Sequence, residues 1–177
     1  MIRLFVGLGL PDVVADTLAD LALGIPGARW IESRNLHVTL RFVGEVEEPL
    51  AQDLHDHLSE VRAPAFMVTV NGLGTFGSRQ PHALWAGVEK TPELVHLQGK
   101  VDSAVTRAGL PAEPRKFSPH VTLARLKGAP TGRIQEFIAG HSPLKLGPFH
   151  IDRFIMFRSH LGRAGAEYEE VAEYPLG

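Results

Sequence analysis

Two short segments carry the same polar pair on the same apolar background: Leu36-His37-Val38-Thr39-Leu40 and Pro119-His120-Val121-Thr122-Leu123. In an extended chain, residues i and i+2 point to one face. Each histidine therefore shares a face with its threonine, while Val38, Leu40, Val121 and Leu123 turn to the other. Two imidazoles brought together make a matched acid and base, because an ordinary pKa of about 6.5 lets either ring take or give a proton near neutrality. On opposite sides of a phosphorus they suit the opening of a cyclic phosphodiester: one deprotonates water, the other protonates the departing ribose oxygen. The threonine hydroxyls would donate hydrogen bonds to the non-bridging oxygens, where charge accumulates. A single His-x-Thr in a strand is common by chance. Its recurrence in both halves of the chain, with the polar face kept alongside the apolar one, marks chemistry rather than packing.

The elements that must position these groups follow from pattern. Ile2–Gly9 is an apolar run expected to form a buried strand, and Pro11 and Asp12 open a helix to about Leu23. Arg29–Ile31 is expected as a short strand and Asn35–Val43 as a strong one. A polar helix from about Pro49 to Val61 precedes the β-rich run Ala65–Val70, after which Gly72, Gly74 and Gly77 predict a loop. Ala83–Val88 reads as a strand and Pro92–Ala108 as an amphipathic helix with Leu94, Leu97, Val101 and Val105 inward. Then come the strand His120–Leu126, a short helix Arg133–Ala139, and closing strands at Leu146–Phe157 and Glu167–Glu173. The pattern predicts an α+β fold with mostly antiparallel sheets. The repeat predicts one domain over residues 1–177, built of two pseudo-symmetric lobes that carry motifs 36–40 and 119–123. In this bilobal, pseudo-two-fold arrangement two sheets form a central cleft, with the helices outside.

Composition narrows the chemistry. The 177 residues are 44% hydrophobic and 21% charged, as in an ordinary globular protein. No apolar run is long enough to span a membrane and the first residues show no signal-peptide pattern, so a cytoplasmic protein without membrane contact is expected, and the mixed surface suggests a monomer. Cysteine is absent, which excludes disulfides, thiolate metal sites and a thiol nucleophile. The net charge of −2 offers no global field for long nucleic acid and favours recognition of one end or one phosphate. His55 and His57 lie two apart on a predicted helix and do not face each other. His82, His96, His141 and His150 form no pattern. No His-Glu-x-x-His, Gly-x-Ser-x-Gly or phosphate-binding Gly-Lys-Ser/Thr signature is present, so neither a metal nor another cofactor is expected. By strict alternation Arg41 shares the face of His37 and Thr39 and is expected to reach phosphate. Phe76 is read as core packing, with a place at the mouth of the cleft as the alternative. Arg115 and Lys116 are read as solvated loop charges before the second motif or, alternatively, as local positive potential for an RNA end.

The chain resembles the two-histidine phosphoesterase superfamily, in its RNA 2′,3′-cyclic phosphodiesterase or 2′–5′ RNA ligase branch. The resemblance rests on Arg3-Leu4-Phe5-Val6, the Trp30 region, Asn35 through Gly44 and Phe117 through Arg125. Arg158-Ser159-His160-Leu161 with Gly165 and Tyr168 completes it. It implies a bilobal α+β fold, no required metal, RNA ends bearing a 2′,3′-cyclic phosphate as substrate, and a 2′-phosphate product. It implies roles for His37, Thr39, His120 and Thr122. Within the pair, His37 is read as acid on the 3′ oxygen and His120 as base on water, an order that the pseudo-symmetry leaves open to reversal. It also implies phosphate contact by Arg125, which strict alternation would put on the wrong face and a bulge would restore. Phe42 stands at the equivalent position of the first repeat, where its ring would stack on a base. Reversible 2′–5′ ligation at the same groups, and a nucleotide-binding module without turnover, are the alternative readings.

Overall fold

The apolar run at the start forms the strand Ile2–Gly9 (β1), in which Leu4, Phe5, Val6 and Leu8 are all buried. Burial on both faces is what an unbroken apolar run demands of a strand. The computed structural model describes residues 1–163 and 165–177. After β1 these give Asp12–Ala19 (α1), Ala28–Trp30 (β2), a 3-10 turn at Ser33–Asn35, His37–Val46 (β3), Glu48–Ser59 (α2), Phe66–Phe76 (β4) and Ala83–Val88 (β5). Pro92–Arg107 (α3), His120–Leu126 (β6), Thr131–Gly140 (α4), Lys145–Ile151 (β7), Arg153–Gly162 (β8) and Gly165–Pro175 (β9) complete them. Helix α3 starts where its local chemistry says it should. Thr91 Oγ1 accepts from Leu94 N at 3.3 Å, and Pro92 occupies the first turn, where its missing N–H costs nothing.

All strand pairs are antiparallel, and the strands form one sheet in the order β7-β4-β5-β6-β3-β1-β8-β9, with β2 added to β6. The expected pair of sheets is therefore a single sheet. Its two groups, β7-β4-β5-β6 with β2 and β3-β1-β8-β9, meet at β3 and β6 through one residue pair, Val38 opposite Val121. Both valines are fully buried, and they belong to a core that also takes in Leu18, Leu54, Leu58, Leu94, Leu97, Val101, Ile134 and Phe137 from the four helices. The helices thus cover the face opposite the one that carries His37 and His120.

Three expected boundaries move. Helix α1 stops at Ala19, short of Leu23. The glycine-rich stretch is strand rather than loop, because β4 continues to Phe76 along β5, with Gly74 opposite Trp85. A side chain at Gly74 would meet the Trp85 ring at 2.4 Å, so glycine there lets the indole lie across the strand. The long apolar run 146–157 is two strands, β7 and β8, which part at Asp152.

Two bulges decide which side chains reach the open face. Across β1 and β3, Val6 is opposite Arg41 and Gly7 opposite Thr39, which leaves Leu40 extra. Across β5 and β6, Leu84 is opposite Ala124 and Trp85 opposite Thr122, which leaves Leu123 extra. Each extra residue reverses the alternation after it. Leu40 and Arg41 are consecutively buried, as are Leu123 and Ala124, and Phe42 and Arg125 emerge on the histidine side. Beside the first bulge, a Cβ on Gly7 would sit 2.5 Å from the Val38 carbonyl oxygen, a contact backbone cannot yield. Gly7→Ala is expected to cost ~1–3 kcal/mol in chemical denaturation by forcing β1 away from β3.

Candidate active site

His37 and His120 each open a strand and are each held from behind in the same way. His37 Nδ1 lies 2.8 Å from the Asn35 carbonyl oxygen and His120 Nδ1 2.7 Å from that of Ser118. A carbonyl only accepts, so both rings carry their proton on Nδ1 and present Nε2 as a lone pair. At His37 that lone pair accepts from Thr39 Oγ1 at 3.0 Å. Antiparallel pairing at Val38 and Val121 turns His37 toward Thr122 and Thr39 toward His120. The histidines then form a diagonal, a relation that puts residues ~7–8 Å apart across an ordinary antiparallel pair, with their Cβ atoms somewhat closer.

Aromatic walls enclose both rings. Phe5 lies 4.7 Å from His37 between ring centroids, Tyr168 stands edge-on at 5.1 Å and Phe157 lies at 5.7 Å. His120 is met edge-on by Phe76 at 4.8 Å, with Trp85 at 6.4 Å. Of the two places open to Phe76, core or cleft mouth, it takes the second and is a wall of the site. Burial pushes the His37 imidazole down to about 4, against the opposing pull of the Asn35 carbonyl, and the charges of His120 and Arg125 add to the depression. Burial likewise lowers His120, again with Arg125 contributing. Both rings are therefore neutral bases near pH 7 when no ligand is bound.

Asn35 entered the sequence reading only as the first residue of the matching stretch 35–44, with no role assigned to it. Its carbonyl orients His37, while its buried side chain ties the motif to β9: Nδ2 donates to Ala166 O at 3.3 Å, and Oδ1 accepts from Tyr168 N at 3.4 Å. Phe5, Phe157, Trp85 and Tyr168 come from strands distant in sequence, and only their antiparallel registers bring them here.

Arg125 and Phe42, both exposed, are on the histidine face. Arg41 is not. The expectation that it shares this face fails because the Leu40 bulge turns it into the core side, where it is 7% exposed. There it donates to Asp102 of α3, to the Pro111 carbonyl and, at 3.2 Å, to the Phe42 carbonyl. It is a clamp between β3, α3 and the loop that leads to the second motif. Arg115 pairs with Glu113 in that loop. Among the described residues no three His, Cys, Asp or Glu side chains gather as a metal site, and no helix is long and apolar enough to cross a membrane.

The sequence profile described as the 2′-5′ RNA ligase superfamily matches residues 10–163. The RNA 2′,3′-cyclic phosphodiesterase of Aeropyrum pernix is 33% identical over 167 residues, covering 93% of this chain and 91% of that protein. The RNA 2′,3′-cyclic phosphodiesterase of Thermotoga maritima is 34% identical over 152 residues, covering 83% and 79%. The crystal structure of E. coli LigT with 3′-AMP superposes with a TM-score of 0.79 at 24% identity, covering 99% of this chain and 98% of that one, a likeness of fold.

Removing the clamp separates structural from substrate-binding roles. Arg41→Met is expected to lower unfolding free energy by ~2–4 kcal/mol, since it leaves Asp102 without its partner. KM for any phosphate substrate should stay within about twofold, as judged by denaturation and steady-state kinetics on the same preparation.

Proposed function

The chain belongs to the 2′-5′ RNA ligase superfamily, and on that premise we propose that it is a metal-independent phosphodiesterase opening terminal 2′,3′-cyclic phosphates of RNA to 2′-phosphates. The observation that carries this reading is the matched pair of imidazoles. Each is anchored at Nδ1 on the carbonyl two residues before it and directs Nε2 over the face they share. The relatives named RNA 2′,3′-cyclic phosphodiesterase, similar over most of the chain, support the same substrate.

His120 Nε2 has no protein hydrogen-bond partner among the described residues, which suits it to take the proton of the attacking water. The water oxygen bonds to phosphorus, the bond from phosphorus to the 3′ oxygen breaks, and His37 gives its proton to that oxygen. The 2′ ester is retained. Burial of His37 opposes protonation in the free protein, but a bound phosphodiester anion supplies the negative charge that stabilises an imidazolium beside it. Once Nε2 of His37 is protonated it can no longer accept from Thr39, whose hydroxyl becomes free to donate to a non-bridging oxygen. Thr122 and Arg125 serve the same phosphate from β6, and Phe42 offers an exposed ring to the base. The matched bulges at Leu40 and Leu123 and the matched carbonyl anchors support a duplicated, pseudo-two-fold origin for the two halves of this single domain. A monomer holds all of these groups.

The test is a short RNA ending in a 2′,3′-cyclic phosphate, incubated in EDTA, with the product identified by position of its phosphate. Conversion to the 2′-phosphate is expected, slowed about 10²–10⁴-fold in each of His37→Ala and His120→Ala. Absence of turnover by the intact protein, or undiminished turnover by either variant, would exclude the mechanism.

A further inference from the structure

Strand β2 places a second arginine beside Arg125. In the β2–β6 register Arg29 is directly opposite Arg125, and Trp30 directly opposite Ala124. Ala124 faces the core, and Trp30 packs with it against Phe137 of α4 at 5.5 Å between ring centroids. Alternation therefore sends Arg29 to the opposite face, the one Arg125 shares with His120 and Thr122. Opposed residues on one face have Cβ atoms about 4.5–5.5 Å apart, and like charges so placed repel. Both arginines are exposed, and neither has a carboxylate partner among the described residues. Five other arginines, Arg34, Arg41, Arg115, Arg133 and Arg153, each meet an acid. Two uncompensated guanidinium groups side by side fit a ligand that brings more than one negative charge.

The scissile phosphate accounts for one. Arg125 is close enough for its charge to bear on both imidazoles. Arg29 stands beside it, at the end of β6 away from the histidines. Resting on the phosphodiesterase reading above, we propose that Arg29 binds the phosphate on the 5′ side of the terminal nucleotide, so that the site selects a nucleotide carrying a 5′-phosphate or an internucleotide linkage over a bare nucleoside cyclic phosphate. Arg29 is a specificity-determining residue here and takes no part in proton transfer. A guanidinium suits the task because its fork can hold two oxygens of one phosphate.

The test compares adenosine 2′,3′-cyclic phosphate, with its 5′-hydroxyl free, against the same nucleotide bearing a 5′-phosphate. The intact protein should show a KM about tenfold lower for the phosphorylated substrate, the change expected of one charge-assisted contact. Arg29→Ala should abolish that difference by raising KM for the phosphorylated substrate alone, with kcat and thermal stability unchanged, and Arg29→Lys should restore part of it. Arg125→Ala should impair both substrates. No preference in the intact protein, or an equal loss on both substrates in Arg29→Ala, would overturn the proposal. Turnover of neither substrate by the intact protein would overturn the phosphodiesterase reading as well.

Discussion

One backbone pairing holds the candidate site together. Strands β3 and β6 meet only at Val38 and Val121, yet this contact fixes the position of both His-x-Thr motifs at once. A seam so short gains little from hydrogen bonds. Its strength comes from the two valine side chains, both fully buried under the helices, each worth ~1.5–3 kcal/mol of apolar burial. The alternation of the strand then converts core packing on one face into chemistry on the other. His37, Thr39, His120 and Thr122 are placed by the valines between them, and movement of either valine would misalign the imidazole beside it.

The surroundings of the imidazoles set their protonation. Phe5, Phe157 and Tyr168 around His37, and Phe76 and Trp85 around His120, replace water with rings. Lowering His37 from 6.5 to about 4 corresponds to a preference of up to about 3 kcal/mol for the neutral ring. The nearby Arg125 works in the same direction while the site is free. In the proposed mechanism an anion bound among these groups reverses the balance: the free site holds two bases, and the ligand makes one of them an acid.

Much of this was legible in the residues, and the failures share a cause. The duplicated motif was visible because its period of two survives in both copies. The bulges were half visible. In the second motif Leu123 and Ala124 are consecutive apolar residues, a break in alternation that sends Arg125 to the open face. In the first motif the residue at Ala124's place is Arg41, whose charge reads as exposed. Its burial depends on Asp102 and the Pro111 carbonyl, partners some sixty and seventy positions away, which no local pattern announces. The strand through Gly72 and Gly74 was hidden for a similar reason, since the glycine there makes room for an indole from the next strand. The aromatic walls and Asn35 carry no periodic signal; register alone assembles them.

The proposed chemistry requires that both imidazoles be anchored through Nδ1 and offer a neutral Nε2 to the face they share. NMR of isotope-labelled histidine nitrogens, followed during a pH titration and again with adenosine 2′-phosphate added, observes this directly. His37 and His120 are expected to be neutral at pH 7 with the proton on Nδ1, and His37 to stay so until the pH approaches about 4. The nucleotide should shift both Nε2 resonances together. A proton on Nε2, a charged ring at pH 7 in the free protein, or a response confined to one histidine would contradict the proposed chemistry.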